Sequence, residues 1–373
     1  MSIIVHPVSG SAGTLRFIKL QWKFYENDRN WVPPLLMDRK KLLNTAKNPF
    51  YKHARMQLFI AERDGEAVGR IAAIVNEHHN REHHDKVGFF GFFEAINNQD
   101  VANALFDAAA KWLAGKGMDT MRGPVNPSVN DEIGLLVKGF DSPPVILMTY
   151  NPRYYPLLLE GYGFKKVKDL YAYLLRNKDV VTPKLERGQQ MVRDRYGITI
   201  RDLDFKNLAR DVVVLKDLYN RSWEKNWGAV AMTDEEFDFL AKDLVQVVGK
   251  FKDLVFIAER DGEPIGFTLC LPDINQLLIR NKRGWLLPGA WQLMTGTKRI
   301  DLVRIIVLGV LPQHRNKGID AVMYYETVTR AAQHGVFKGE ASWVLEDNDP
   351  MNKGARLMNA EQYKTYRMYD VAI

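Results

Sequence analysis

Apolar and polar residues alternate along the chain in blocks whose period switches between that of a strand and that of a helix. Phe59 to Glu66 reads FIAERDGE, an apolar run ending in a charged Asp-Gly turn, and a second apolar run, AVGRIAAIVN, follows. That order predicts a β-hairpin, because Asp-Gly accepts the positive φ values of a two-residue turn. The same eight residues recur at Phe256 to Glu263, 197 positions later, and continue as PIGFTLCLPD. An identical octapeptide repeated at about one domain length predicts a duplicated unit. Downstream, VGFFGFFEA reads as a buried strand. NQDVANALFDAAAKWLAGKG then spaces its apolar residues at helical intervals and stops at glycine. The second copy answers with LVRIIVLGVL and KGIDAVMYYETVTRAAQHG. Each copy closes through a strand, a helix and an aromatic strand: RGPVNPS, YYPLLLEGYGF and DLYAYLL, then EASWVLEDN, ARLMNAEQY and KTYRMYDVAI.

The expected fold class is therefore α/β, two mixed α+β sheets in tandem, each flanked by helices. The expected domains are residues 1–185 and 186–373. The linker falls within 177–197, where KLERGQQMVRDRYG predicts a helix and ITIRDL restarts a strand.

Composition narrows the class. The 373 residues are 46% hydrophobic and 26% charged, as in ordinary globular proteins. No apolar run reaches the roughly 18 residues of a membrane-spanning helix. The N-terminus, MSIIVHPVSGSAG, lacks the pattern of a secretory signal. The lone cysteine, Cys270, excludes an internal disulfide and fits a reducing cytoplasm. A net charge of +7 suits an anionic partner, whether a phosphorylated cofactor, an anionic membrane surface or nucleic acid. No recognised nucleic-acid motif is present, so nucleic acid is not expected as a partner.

The sharpest chemical pattern is the strand IIVLGVLP followed by Gln313, His314, Arg315, Asn316, Lys317, Gly318, Ile319 and Asp320, and then a helix. A strand entering a basic, glycine-containing turn that opens a helix is an anion cradle. Its helix amides point outward and carry partial positive charge, and glycine lets a pyrophosphate approach the backbone. Arg315 and Lys317 would add charge, and Asp320 is expected to cap the helix. The first copy has NNQDVANA at this place, without a basic glycine turn, and is expected to hold no such anion.

This turn resembles the CoA pyrophosphate loop of the GNAT acyltransferase superfamily, Gln/Arg-x-x-Gly-x-Gly/Ala, here Arg315-x-x-Gly318-x-Asp320 with a departure at the last position. The whole chain is similar to a bacterial family of GNAT-like proteins in which WVPPL, NPF, VGRIAA, GFFGFFE, RGPVNPS, GLLVKGF, YNPRYY, RNKGIDA and SWVLEDN occur in this order. That family includes ceramide synthases, which N-acylate sphingoid bases from long-chain acyl-CoA. The resemblance implies two GNAT-like domains, acyl-CoA as co-substrate without a metal, and an amine acceptor, with a lipid amine as one class. A small-molecule or protein N-acetyltransferase and a non-catalytic binding module on this scaffold stand as alternatives. CoA is expected on Val310, Gln313, Arg315, Asn316, Lys317, Gly318, Ile319, Asp320 and Asn348.

Amine acylation needs a base, a donor for the tetrahedral oxyanion and an acid for the departing thiolate. Glu346, at the end of SWVLEDN, is the expected base, and a backbone N–H within Leu308 to Val310 the oxyanion donor. The tyrosine usual in GNAT enzymes aligns here with Ala355, which leaves Tyr363 and Tyr366 nearby, either as hydroxyls for this role or, more in keeping with their strand, as packed aromatics. In the first copy, RGPVNPSVNDEIGLLVKGFDSPPVILMTYNPRYY is either an acceptor pocket or a β-excursion completing the sheet. The pocket reading places Asn126, Asn130, Glu132, Asn151, Tyr154 and Tyr155 around the acceptor, with Tyr150 beside them.

Three further segments carry expectations. EHHNREHHD is read as a solvated loop rather than a metal site. WEKNWG, with Trp223 and Trp227, is placed on helices that shape the acceptor site or pack in the core. Residues 276–298 mix Arg280, Lys282 and Arg283 with Trp285, Leu286, Leu287, Trp291, Leu293 and Met294. That mixture suits a roof over an acyl chain or contact with the inner membrane surface, and equally an ordinary helical hairpin packed on the core.

Overall fold

The computed structural model describes residues 2–223 and 226–373. The chain opens with β1 (Ile3–Pro7), α1 (Gly10–Phe24) and α2 (Leu36–Leu42), then the hairpin β2 (Ala54–Arg63) and β3 (Glu66–Asn76). Next come α3 (Glu77–His83), β4 (Val87–Ala95), α4 (Gln99–Ala114) and β5 (Thr120–Gly123). Short strands β6 (Val125–Asn126), β7 (Glu132–Ile133) and β8 (Leu135–Lys138) precede α5 (Tyr155–Tyr162) and β9 (Lys165–Arg176). The order then repeats. Helices α6 (Asn177–Val180) and α7 (Pro183–Tyr196) lead to β10 (Ile198–Asp202), α8 (Leu208–Trp223) and α9 (Asp234–Val248). The hairpin β11 (Val255–Arg260) and β12 (Glu263–Pro272) is followed by α10 (Asn275–Leu278) and α11 (Leu286–Gly296). The chain ends with β13 (Leu302–Val310), α12 (Ile319–Gln333), β14 (Lys338–Leu345), α13 (Asp349–Leu357) and β15 (Glu361–Ala372).

The duplicated octapeptide is duplicated down to the ladder. Asp64 and Gly65 turn the first hairpin at φ 54° and 81°, and Asp261 and Gly262 turn the second at 52° and 81°. Both hairpins shift register at the same place, between Ala61 and Glu62 and between Ala258 and Glu259. A short antiparallel strand lines each outer edge, pairing Ile3 with Arg63 and Ile198 with Arg260. In each copy the third long strand is antiparallel to the hairpin, and the next strand runs parallel to it, as β4–β5 and β13–β14.

Chain order and compactness diverge at the last strands. One compact unit comprises Met1–Leu170, Leu278–Gln292 and Lys364–Ile373, and the other Tyr171–Leu277 and Leu293–Tyr363. In the first unit β5 pairs with β15, Tyr369 opposite Gly123, and β8 pairs with β15 as well. In the second, Tyr173 and Leu175 of β9 enter the core with Leu254, Cys270, Val303 and Val344. β9 thus passes into the second unit from Tyr171 and β15 into the first from Lys364, whereas a division at residue 185 follows chain order alone.

Helix α4 buries Val101, Ala102, Leu105, Phe106, Ala109 and Leu113 against the first sheet. Asn98 caps it by accepting from the Val101 N–H, and Asp100 lies in its first turn, where the helix dipole favours an acid. The EHHNREHHD segment is not a solvated loop. It folds as α3, capped by Asn76, and buries His79 against Phe89 because Phe89 faces the same apolar layer. Burial pushes the His79 imidazole down to about 3. In WEKNWG, residues 224 and 225 and the Trp223 side chain lie outside the described residues.

Candidate active site

In the second unit the parallel strands β13 and β14 are hydrogen-bonded partners only from Leu302–Lys338 to Ile305–Ala341. Beyond that point β13 keeps its antiparallel partner as far as Val310–Gly266, while β14 runs on to Leu345. The two strands therefore part, with Leu308, Gly309 and Val310 on one side of the opening. Among the described residues, no strand pairs with that side of β13 beyond Ile305.

The opening leads to the turn before α12. Asn316 and Gly318 both take positive φ, 60° and 77°, and Gly318 is the N-cap residue of the helix. A Cβ at Gly318 would lie 3.0 Å from the Val192 side chain, so glycine is required for both its torsion and the close approach of α7. Among the described residues, the N–H groups of Asn316, Lys317 and Gly318 meet no acceptor. With the first amides of α12 they form a ring of outward donors. Lys317 lies over this turn, its ammonium on the Gln313 carbonyl at 3.1 Å. Burial, then Lys317 and Arg260, hold the His314 imidazole below the usual value.

Two expectations change here. Arg315 does not project freely, because its guanidinium donates to the carbonyls of Val310 (3.0 Å) and Ser222 (2.7 Å). It shapes the turn by tying the end of β13 to the last turn of α8. Asp320 does not cap α12, because the cap is two residues earlier, at Gly318, and no side chain bonds there. Asp320 sits exposed in the first turn, where it stabilises the helix dipole and opposes an incoming anion. Ile319 is buried with Val322 and Met323 and anchors the helix start.

On the β14 side, Glu346 follows the strand end and is half-buried. The Asn352 amide holds that end in place, donating to the carbonyls of Leu345 (3.0 Å) and Glu346 (3.1 Å). Asn348 caps α13, its side-chain oxygen accepting from the Met351 N–H, so that oxygen is committed to the helix. Ala355 packs in the core and offers no hydroxyl. Tyr363 instead donates to Glu340 Oε2. Glu340 also accepts from Ser342 Oγ (2.6 Å), which in turn accepts from Arg304 Nε (3.0 Å). Arg304 and Glu340 are opposite each other in the ladder and fully buried. Only Tyr363 of this network was expected. The sequence does carry a sign of it, since Arg304 interrupts the apolar run LVRIIVLGVL, and buried charges must be paired.

The first unit has the same strand parting, with β4 and β5 paired only from Val87–Thr120 to Phe89–Arg122. Its opening is filled by the chain itself. The Val125 carbonyl lies where a Cβ on Gly91 would be, 1.7 Å away, and Asn126 Oδ1 accepts from the Phe92 N–H at 2.6 Å. Gly69–Ala95 and Gly266–Val310 hold equivalent places in the two ladders. Ala95 is closed off: its N–H donates to the Tyr155 hydroxyl (3.0 Å), and its carbonyl accepts from Tyr154 (2.7 Å).

The residues proposed for an acceptor pocket are largely structural. Tyr155 is fully buried and donates to Glu94 Oε2 (2.7 Å). Burial pushes the Glu94 carboxyl up, against the pull of Arg70. Asn151 is buried and clamps Leu136 from both sides, accepting from its N–H and donating to its carbonyl. This is the β-excursion reading, because β8 extends the sheet. Asn126 donates to Glu132 (3.2 Å), which also pairs with Arg39 (2.7 Å), and Asn130 donates its N–H to Ser128. Tyr150 donates to Asp28 (2.9 Å) at the rim of an open polar depression of about 440 Å³.

Residues 212–356 match the model of the acetyltransferase (GNAT) family. The chain is 35% identical to a protein named bacterial ceramide synthase from Caulobacter vibrioides (strain NA1000 / CB15N), over 99% of this chain and 97% of that one. It is 33% identical to protein YghO of Escherichia coli (strain K12), over 96% and 92%. A solved tandem GNAT protein from the clavulanic acid biosynthesis pathway superposes with TM-score 0.59 at 12% identity, covering 100% of this chain and 98% of that one.

Proposed function

The chain belongs to the GNAT acetyltransferase family, and from that premise we propose that it transfers an acyl group from acyl-CoA to an amine, with CoA held by the second unit alone. The observation that carries this reading is the parting of β13 and β14 above a positive turn whose amides meet no acceptor. Such a turn suits a pyrophosphate: Asn316 to Asp320 would present amides to it, Lys317 would add charge, and Gln313 would flank it. Val310 and Leu308 border the opening where a thioester would lie, and one of their N–H groups would stabilise the tetrahedral oxyanion. Glu346 would take the proton from the ammonium, directly or through water. The amine then forms the C–N bond, the C–S bond breaks, and the thiolate takes a proton. Tyr363, whose hydroxyl donates to Glu340, is the proposed donor.

The acceptor reading is finer. Full-length similarity to a protein named bacterial ceramide synthase supports a long-chain acyl group and a sphingoid base. Work at the cytoplasmic face of the inner membrane is a further part of the proposal, motivated by the tryptophan, leucine, arginine and lysine residues of 276–298. No helix among the described residues is long and apolar enough to cross a membrane. Within the first unit, the burial of Asn151 and Tyr155 narrows any acceptor role to Asn126, Asn130, Glu132 and the exposed flank of Tyr154. A second reading, a binding module without turnover, is favoured by Ala355 at the place of the usual tyrosine.

The test is a series of acyl-CoAs from acetyl to palmitoyl, offered with sphinganine and with small polar amines. Each buried methylene contributes about 0.8 kcal/mol, so a long-chain pocket should discriminate steeply against acetyl. Preference for acetyl-CoA would reject the lipid reading and keep the acyltransferase one. CoA binding without turnover of any amine would favour the module.

A further inference from the structure

Within the stretch 276–298, residues Leu278–Gln292 belong to the first unit. Trp22 Nε1 donates to the Lys282 carbonyl (2.8 Å), and the Gly284 carbonyl accepts from the Leu36 N–H (2.9 Å). Gly284 lies so close to α2 that a Cβ would stand 2.3 Å from the Pro34 carbonyl. This rigid mount presents large apolar side chains to solvent. Leu287 is 81% exposed, Trp291 67% and Trp285 50%, with Leu286 beside them. Leu287, Trp291 and Met294 fall at i, i+4 and i+7 of α11, a single outward stripe. Met37 on α2 is exposed as well. Monomeric soluble proteins rarely display tryptophan and leucine together in this way.

The charges around the stripe identify what would cover it. Arg280, Lys282 and Arg283 precede it, all exposed, and the Arg283 guanidinium lies 4.8 Å from the Trp285 ring centre. No acidic residue occurs between Ile274 and Ile300. Tryptophan and leucine bordered by arginine and lysine match the boundary between acyl chains and anionic headgroups. We propose that this face docks the protein on an anionic bilayer, with Trp285, Leu287 and Trp291 entering the interface and Arg280, Lys282 and Arg283 on the headgroups. The proposal gives a surface to the membrane contact suggested above and rests on that reading.

Vesicle sedimentation of the full chain tests it, using phosphatidylethanolamine–phosphatidylglycerol vesicles beside phosphatidylcholine alone. Binding is expected on the anionic vesicles and to fall with added salt. The double variant Leu287→Ser, Trp291→Ser should bind about thirtyfold more weakly or worse. Lys282→Ala and Arg283→Ala should each cost roughly fivefold, on anionic vesicles only. CoA affinity, measured by calorimetry, serves as the folding control and should not move in any of these variants. Vesicle binding with no CoA binding would sink the acyltransferase reading and uphold this surface. Equal partition of wild type and double variant would overturn the proposal. So would a concentration-dependent dimer in sedimentation velocity that the double variant abolishes, since the stripe would then cover a second copy.

Discussion

The two units share a strand parting at equivalent places, yet they treat it in opposite ways. In the first, β4 and β5 part after Phe89–Arg122, and the chain fills the gap with its own Val125 and Asn126. The Phe92 and Ala95 amides and the Ala95 carbonyl are all paired internally. In the second, β13 and β14 part after Ile305–Ala341, and Asn348, at the start of α13, caps its own helix. The following turn is basic and ends at Gly318, where the first copy has Asn98 capping α4. A duplicated fold keeps an opening only where the local chain leaves its backbone groups unsatisfied. Where tyrosine, asparagine and a carbonyl satisfy them, the same topology becomes a solid support.

The largest effect should come from Gly318→Val. A β-branched residue in the left-handed region costs about 1–2 kcal/mol, and contact with Val192 would displace the amides further. CoA affinity by calorimetry should fall about a hundredfold. An unchanged value would remove the cradle from the second unit and end the contrast. Next is the acid response of the first unit. Its buried His79 is held at about 3, against 6.5 when unfolded. The unfolded chain therefore binds the proton first as pH falls. Stability is complete above pH 6.5 and is lost as pH drops from there toward 3. Each pH unit costs about 1.4 kcal/mol, so roughly 2 kcal/mol should go between pH 6.5 and 5. The Asp85 carboxylate, 3.4 Å away, opposes this. Urea denaturation across that range should show the loss in wild type and a flatter profile in His79→Phe.

Asn126→Ala tests the filled opening itself. It leaves the Phe92 N–H without its acceptor, at a cost of about 1–2 kcal/mol in thermal stability. CoA should still bind with one site per chain. A second site appearing in the titration would mean that Asn126 alone had been closing the first unit. The smallest effect is expected at Asp320→Asn, which removes an exposed negative charge beside the cradle. CoA should bind about twofold tighter at low salt, and the gain should vanish at high salt. Weaker binding would mean that Asp320 contacts the ligand.

Local chemistry explains what could be read in advance. Both hairpins, their Asp-Gly turns and the helices α4, α7 and α12 were legible, because hydrophobic period, turn residues and helix stops act over a few neighbours. So was the turn from Gln313 to Asp320, a single contiguous stretch. Asp320 was misassigned by two positions because Gly318, in the left-handed region, ends the turn earlier than a side-chain cap would. The exchange of β9 and β15 between units was not legible. Both are aromatic strands that present the same backbone donors and acceptors to any partner, so the sequence DLYAYLL carries no address. Nor could it show that Tyr363 would meet Glu340, or that Asn151 and Tyr155 would face inward. Those residue types bind ligands or satisfy buried backbone equally well. Which they do depends on what the folded chain brings opposite them, and only the tertiary structure sets that.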